Sequence, residues 1–483
     1  MKIVIVSIGT RGDVQPSVLL GLTLRKRGHD VIVATEERLR PLVEEMMGPI
    51  GISCGGVINT ATDGAGGVEV TSPSSSSSSS CWRLIEGDET GIMYQPNVQE
   101  YLANGNLIKI VKATNEWKKK FDEQSILKSY KLALTGADVV IASGLCLTKA
   151  MCVAESIGAG FVTLVPGPTL PTCEFNLWVL PIPCKCLYKW SYHFLFNTLW
   201  KQEKKAINTF RTKELKLPPM KAGPMSNFDT YGFPVLIAAS TVTCGPKMTV
   251  PLDYPPYAIV DGFIFPPPSS DDDNDVLLDD RLVNFVENKN CGGPIIYLGW
   301  GSMPAPDPIK MITLARALCD AASCRGILVA GWSSLLDPIN EQYIQTAQEG
   351  DVLLIVKSVS HSWLMPKCAA LIHHCGIGTC AASLRAGVPQ IASPVMVDQP
   401  HNAKMLQRLG VLGGIVPYGK KMTVKTLLPP LMKILDEKGN GPLCQTARAV
   451  SEKIIKESEG NLERYANAVE SAVRFPMPSG AAT

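Results

Sequence analysis

Between Leu371 and Ala403 the chain reads LIHHCGIGTCAASLRAGVPQIASPVMVDQPHNA, and residue types suited to an anion and a sugar follow one another there. An apolar strand over 369–372 is expected to feed His373 and His374, a Cys-Gly-Ile-Gly-Thr turn, and a helix-like run that stops at Gly387. Gly376 and Gly378 would let the chain bend with positive φ and approach a ligand closely. Thr379 reads as an N-cap, and the free N–H groups of the next turn carry the positive end of a helix dipole, where an anion is favoured. His374 could add a donor to the same anion, whereas His373 reads as a packed strand-end residue. No Gly-Lys-Ser/Thr is present, so the turn is not a P-loop.

A second strand, 389–395, leads to Asp398 and Gln399. Ligands collect at the carboxyl ends of strands in open α/β sheets, so this pair should lie near the turn. A carboxylate beside an amide can accept from and donate to neighbouring sugar hydroxyls. Each feature alone has a plain structural reading, as a turn or a polar loop. Together they describe a site for a diphosphate joined to a sugar.

Asp13 is the remaining candidate. The opening KIVIVSIG reads as a buried parallel strand, and a helix is expected from Pro16 to Arg27 with a basic last turn and a stop at Gly28. Asp13 between them could be a helix N-cap. The same position lies at the carboxyl end of the first strand, where a carboxylate could take the proton from an attacking hydroxyl.

HHCGIGT followed by DQ, with 24 residues from His374 to Asp398, resembles the nucleotide-sugar signature of UDP-dependent glycosyltransferases of the GT-B fold. SIGTRGDVQP resembles the opening of sterol and glycopeptide-antibiotic glycosyltransferases. The resemblance implies that His374 contacts the diphosphate, that Thr379 and the amides around Gly376 and Gly378 hold phosphate, that Asp398 and Gln399 bind the sugar, and that Asp13 is the base. It also implies a role for Ser302, in a GWGSM segment similar to the family's GFGSM, and for the loop from Val359 to Trp363, where the family holds uracil and ribose. Cys375 and Ile377 stand where the HHGGAGT form has Gly and Ala. Ala382 replaces the ribose-binding Glu of plant small-molecule enzymes, which points away from that branch. Segments 208–219, 231–240 and 259–265 resemble sterol glucosyltransferases, so a sterol is the expected acceptor.

The elements that must position these residues fit an α/β chain. With 483 residues, 46% hydrophobic and 19% charged, it can bury full cores, and a net charge of +2 argues against a nucleic-acid surface. The apolar run 3–8 is short for a secretory signal, and no run reaches the roughly 18 apolar residues of a membrane span. Fifteen scattered cysteines without zinc spacing suggest reduced thiols and a cytoplasmic setting. Residues 55–80 read as a mobile Gly/Ser-rich loop.

Residues 170–200 crowd aromatics, including Trp178 and Trp190. They read either as core packing or as an acceptor-binding wall with a peripheral, membrane-facing lip. The expected architecture is therefore two facing Rossmann-like doubly wound domains: 1–265 for the acceptor, a linker at 266–289, 290–450 for the nucleotide sugar, and 451–483 returning to the first domain. The expected reaction is inverting transfer from a UDP-sugar to a sterol hydroxyl, with no metal or other cofactor. Alternatives are a terpenoid, polyketide or other secondary-metabolite acceptor, or a catalytically degenerate lipid-binding protein of the same fold.

Overall fold

The computed structural model describes residues 1–48, 81–103, 107–177, 182–266, 280–287, 292–301, 303, 307–331, 334–337, 340–395, 398–419 and 421–476. The loop expected at 55–80, Trp178, Ser302 and most of the linker at 266–289 lie outside them.

Runs of Val, Ile and Leu, apolar on both faces, form short parallel strands, because a sheet covered by helices on both sides buries every position. The first half contains β1 (Lys2–Val6), β2 (Asp30–Thr35), β3 (Trp82–Leu84), β4 (Val139–Ser143), β5 (Gly160–Val165), β6 (Val235–Ile237) and β7 (Ala258–Val260). They pair in the order β3-β2-β1-β4-β5-β6-β7. The second half contains β8 (Ile295–Gly299), β9 (Arg325–Val329), β10 (Leu353–Val356), β11 (Ala370–His373), β12 (Gln390–Ala392) and β13 (Leu412–Ile415), ordered β10-β9-β8-β11-β12-β13. All pairings are parallel. Each half is thus a doubly wound α/β unit. Strand order reverses between β1 and β4 and between β8 and β11, the places where such sheets leave a crevice.

Ile3, Val4, Ile5 and Val6 are all fully buried, which fixes β1 at the centre of its sheet. The helix that follows, Arg11–Lys26, begins ahead of the expected start at Pro16 because Thr10 and Asp13 form a capping box upstream of the proline.

The chain closes with two helices, Pro442–Ser458 and Asn461–Glu470, separated at Gly460 with φ +65°. The first packs on the helix Ile377–Ala386 of the second half, where the Ser451 hydroxyl donates to the Arg385 carbonyl. The second lies on the helix Arg11–Lys26 of the first half and inserts Tyr465 into its core.

Candidate active site

Asp13 lies one turn beyond β1, at the third position of its helix. It is not the N-cap itself. Thr10 takes that place, and its N–H and hydroxyl donate to Asp13 Oδ2 at 2.8 and 3.0 Å. The carboxyl is half-buried, and burial raises its pKa above the ordinary 3.8 against the lowering effect of the Thr10 bonds. A carboxylate partly stripped of water but still ionisable is a stronger proton acceptor than a free one.

Opposite it, β11 ends at His373 and the chain turns sharply. The left-handed residue of this turn is Cys375, with φ +65°, and neither glycine has positive φ. The glycines serve close approach instead. A Cβ on Gly376 would lie 2.4 Å from His374 Nε2, and one on Gly301, in the turn after β8, would lie 2.7 Å from His374 Cε1. The two glycines clamp the imidazole between them. A Cβ on Gly378 would meet Gly12 Cα of the other half at 3.6 Å, so the two turns touch across the cleft. Gly376 is the N-cap of the helix Ile377–Ala386, which moves Thr379 to its third position and leaves the first-turn N–H groups facing the cleft side of β11.

His374 is buried, and burial together with the neighbouring His373 lowers its pKa to about 3. It is therefore neutral near pH 7, and its Nδ1 has no well-formed hydrogen bond among the described residues. His373 is fully committed: its Nδ1 accepts from the Cys375 N–H at 3.1 Å, and its Nε2 lies 2.9 Å from Gln390 Oε1. His373, Cys375 and Cys380 place their ligand-type atoms within 4.8 Å of one another. With both ring nitrogens engaged, this group is a hydrogen-bonded packing cluster.

Asp398 precedes the helix Gln399–Arg408. Burial raises its pKa, with a smaller contribution from the charge of Asp13. Asn402 was not singled out from sequence, although its position four residues beyond Asp398 was the available signal. Its Nδ2 lies 2.8 Å from Asp398 Oδ2 and 2.9 Å from the Cys375 carbonyl, tying the carboxylate to the turn. Gln399 is buried and its Oε1 accepts from the Val395 N–H at 2.8 Å, so its side-chain carbonyl braces the loop.

Val359 is half-buried against the core formed by Leu364, Met365 and neighbours. His361 beside it packs its Nε2 3.2 Å from the Tyr297 hydroxyl, and burial lowers its pKa to about 4. Trp190 is not enclosed: it is 52% exposed on the helix Tyr188–Lys213, stacked on Phe194.

A second group missed from sequence lies beside Asp13's turn. Thr90 donates to the Gly9 carbonyl at 3.2 Å, the Glu89 N–H donates to Glu36 Oε1 at 2.6 Å, and Lys149 Nζ pairs with Glu89 at 3.2 Å. Glu36 is 2% exposed, its Oε2 lacks a hydrogen-bond partner among the described residues, burial raises its pKa, and Lys149 Nζ lies over the buried Tyr130 ring. This is a buried polar cluster at the carboxyl ends of β2 and β4. Its members are far apart in the chain.

Residues 3–77 match the glycosyltransferase family 28 N-terminal domain, and residues 341–459 match the erythromycin biosynthesis protein CIII-like C-terminal domain. The O-mycaminosyltylonolide 6-deoxyallosyltransferase of Streptomyces fradiae is 29% identical over 87% of this chain and 86% of its own length. Sterol 3-beta-glucosyltransferases of Candida albicans and Arabidopsis thaliana are 27% and 25% identical over 94% and 83% of this chain. The chain spans only 27% and 57% of the lengths of those two enzymes. Among solved structures, the kitacinnamycin glycosyltransferase superposes with a TM-score of 0.57 at 14% identity, covering 98% of this chain and 99% of that one. The glycosyltransferase VinC, solved in complex with dTDP, gives 0.56 at 16% over 97% of this chain and 100% of that one. The chain is a GT-B protein related to both the sterol 3-beta-glucosyltransferases and the antibiotic glycosyltransferases.

Proposed function

We propose that the protein is an inverting glycosyltransferase that moves a hexose, glucose in the first instance, from a UDP-sugar to the hydroxyl of a sterol. The observation that carries this reading is the approach of the turn bearing Asp13 to the turn bearing His374 and Thr379 across the cleft, where a Cβ on Gly378 would meet Gly12 Cα at 3.6 Å. In this scheme the Asp13 carboxylate accepts the proton of the acceptor hydroxyl as its oxygen attacks the anomeric carbon. The bond to the diphosphate breaks on the opposite face, and the configuration inverts. Neutral His374, through Nδ1, and the first-turn amides with Thr379 would hold the charge that develops on the departing diphosphate. Asp398, braced by Asn402, would hold sugar hydroxyls. The scheme calls for no metal or other cofactor.

The test is release of UDP from UDP-glucose with and without sterol. Sterol-dependent release is expected. UDP binding without turnover on any sterol would remove the sterol reading, and absence of UDP binding would remove the donor site as well. A second acceptor class is favoured by one observation: the polar cluster around Glu36, joined to the turn before Asp13 by the Thr90 bond to the Gly9 carbonyl, suits a polar, hydroxyl-rich acceptor better than a bare sterol. The extent of the match to the Streptomyces fradiae protein supports that alternative, and turnover on a polyketide glycoside but not on a sterol would select it.

A further inference from the structure

Five exposed large apolar side chains of the first half, Leu187, Trp190, Phe194, Met248 and Leu252, lie on two neighbouring segments. Leu187, Trp190 and Phe194 follow one another at helical spacing where the helix Tyr188–Lys213 begins, and the last two rings stack 5.0 Å apart. Tyr192, on the other side of the same turn, is fully buried. Next to this helix, a second segment presents Met248 and Leu252, and Leu252 is 90% exposed.

The exposed leucine is held in place by its neighbours. Asp253 accepts from the Thr172 hydroxyl at 2.6 Å and the Cys173 N–H at 2.9 Å, and it pairs with Lys189 at 3.7 Å, which sets residues 189 and 253 side by side. The Leu252 N–H donates to Glu174 Oε1 at 3.1 Å, and Lys247 pairs with the same carboxylate at 3.1 Å. Both acidic groups of the face are thus occupied by protein donors. Lys185 at the start of the face is exposed, and Lys201, Lys204 and Lys205 farther along the helix line an open recess of about 550 Å³. An apolar patch presented by clamped backbone and bordered by lysines is the composition of an interfacial membrane contact.

We infer that this face docks on a lipid bilayer carrying anionic headgroups, with Leu252, Trp190 and Phe194 entering the acyl boundary and the lysines meeting phosphates. The segments that build it follow β5 and β6, so they leave the sheet at the same end as Asp13. Docking there would set the cleft beside an acceptor dissolved in the membrane. That purpose rests on the proposed lipophilic acceptor, whereas the docking itself does not.

The experiment is sedimentation of the full chain with vesicles of phosphatidylcholine, with and without phosphatidylserine. The variants are Leu252→Asp, the pair Trp190→Ser with Phe194→Ser, and Lys185→Glu with Lys201→Glu. Leu132→Asp is the control, since Leu132 is 74% exposed on a different helix. UDP affinity is measured alongside and reports on folding and the donor site. The expected result is binding that needs phosphatidylserine and weakens by about tenfold or more in each face variant, with the control and all UDP affinities unchanged. Wild-type protein that stays in the supernatant, binds both vesicles equally, or loses no affinity in Leu252→Asp overturns the inference. Vesicle binding without sterol turnover would reject only the acceptor reading.

Discussion

The carboxylate of Asp13 is at once half of a capping box and the proposed base, and substitutions separate the two roles. Asp13→Asn keeps an oxygen for the Thr10 donors but has no basicity, so turnover should fall by about 10²–10⁴ with folding stability nearly unchanged. Asp13→Ala should lose turnover and also about 0.5–2 kcal/mol of stability with the cap. Because burial places the Asp13 pKa above 3.8, the active, ionised form is lost as pH falls through that raised value. The acid limb of the rate profile should therefore lie above the ordinary aspartate range and vanish in Asp13→Asn; a wild-type rate in that variant would leave Asp13 a cap and nothing more. Residue types and spacing made the positions of Asp13, His374 and Asp398 legible in the sequence. Side-chain direction was not legible: Gln399 is turned to the Val395 N–H, and Asp13 is the third helical residue because Thr10 competes better for the N-cap.

At the scale of single elements, the turn after β11 works through space more than through φ. Gly376→Ala should push His374 out of its slot and weaken UDP binding by about tenfold or more, since the added Cβ would lie 2.4 Å from Nε2. Gly378→Ala meets only Gly12 Cα at ordinary contact distance and should change UDP affinity less than twofold. Titration calorimetry with UDP reads both, and equal effects would rule out the ring clamp. The two glycines are conspicuous in the sequence, but the reason for them is not, because the left-handed position falls on Cys375, a residue that disfavours it. The long apolar strands were readable from their composition. The short strands β3, β6 and β7 were not, and the equally short β12 was legible only because it sits inside a longer apolar run, 389–395.

For the molecule as a whole, the last helix belongs energetically to the first half. Tyr465 is fully buried there, its hydroxyl donating to the Ile237 carbonyl at 2.8 Å and accepting from the Asp261 N–H at 3.1 Å. Tyr465→Ala should cost about 3–5 kcal/mol in chemical unfolding followed by a first-half probe, and a cost below about 1 kcal/mol would mean that the helix merely rests on the surface. The alternation of strand and helix patterns disclosed the two-unit architecture. The polar cluster of Glu36, Glu89, Tyr130 and Lys149 was hidden, because it is assembled from four separate elements by the topology of one sheet.

The return of the chain at Gly460 also bears on motion. The polypeptide passes between the halves twice, once after Phe265 and once between Ser458 and Asn461, and the carboxylate of Glu457 bonds to Ser240 and Thr241 beside the second passage. Two tethers define a line. A second tether beside the first resists twisting of one half against the other, so rotation about the line through both is the softer motion. Each closing stroke would bring the turn at Gly12 back to the turn at Gly378 along the same arc.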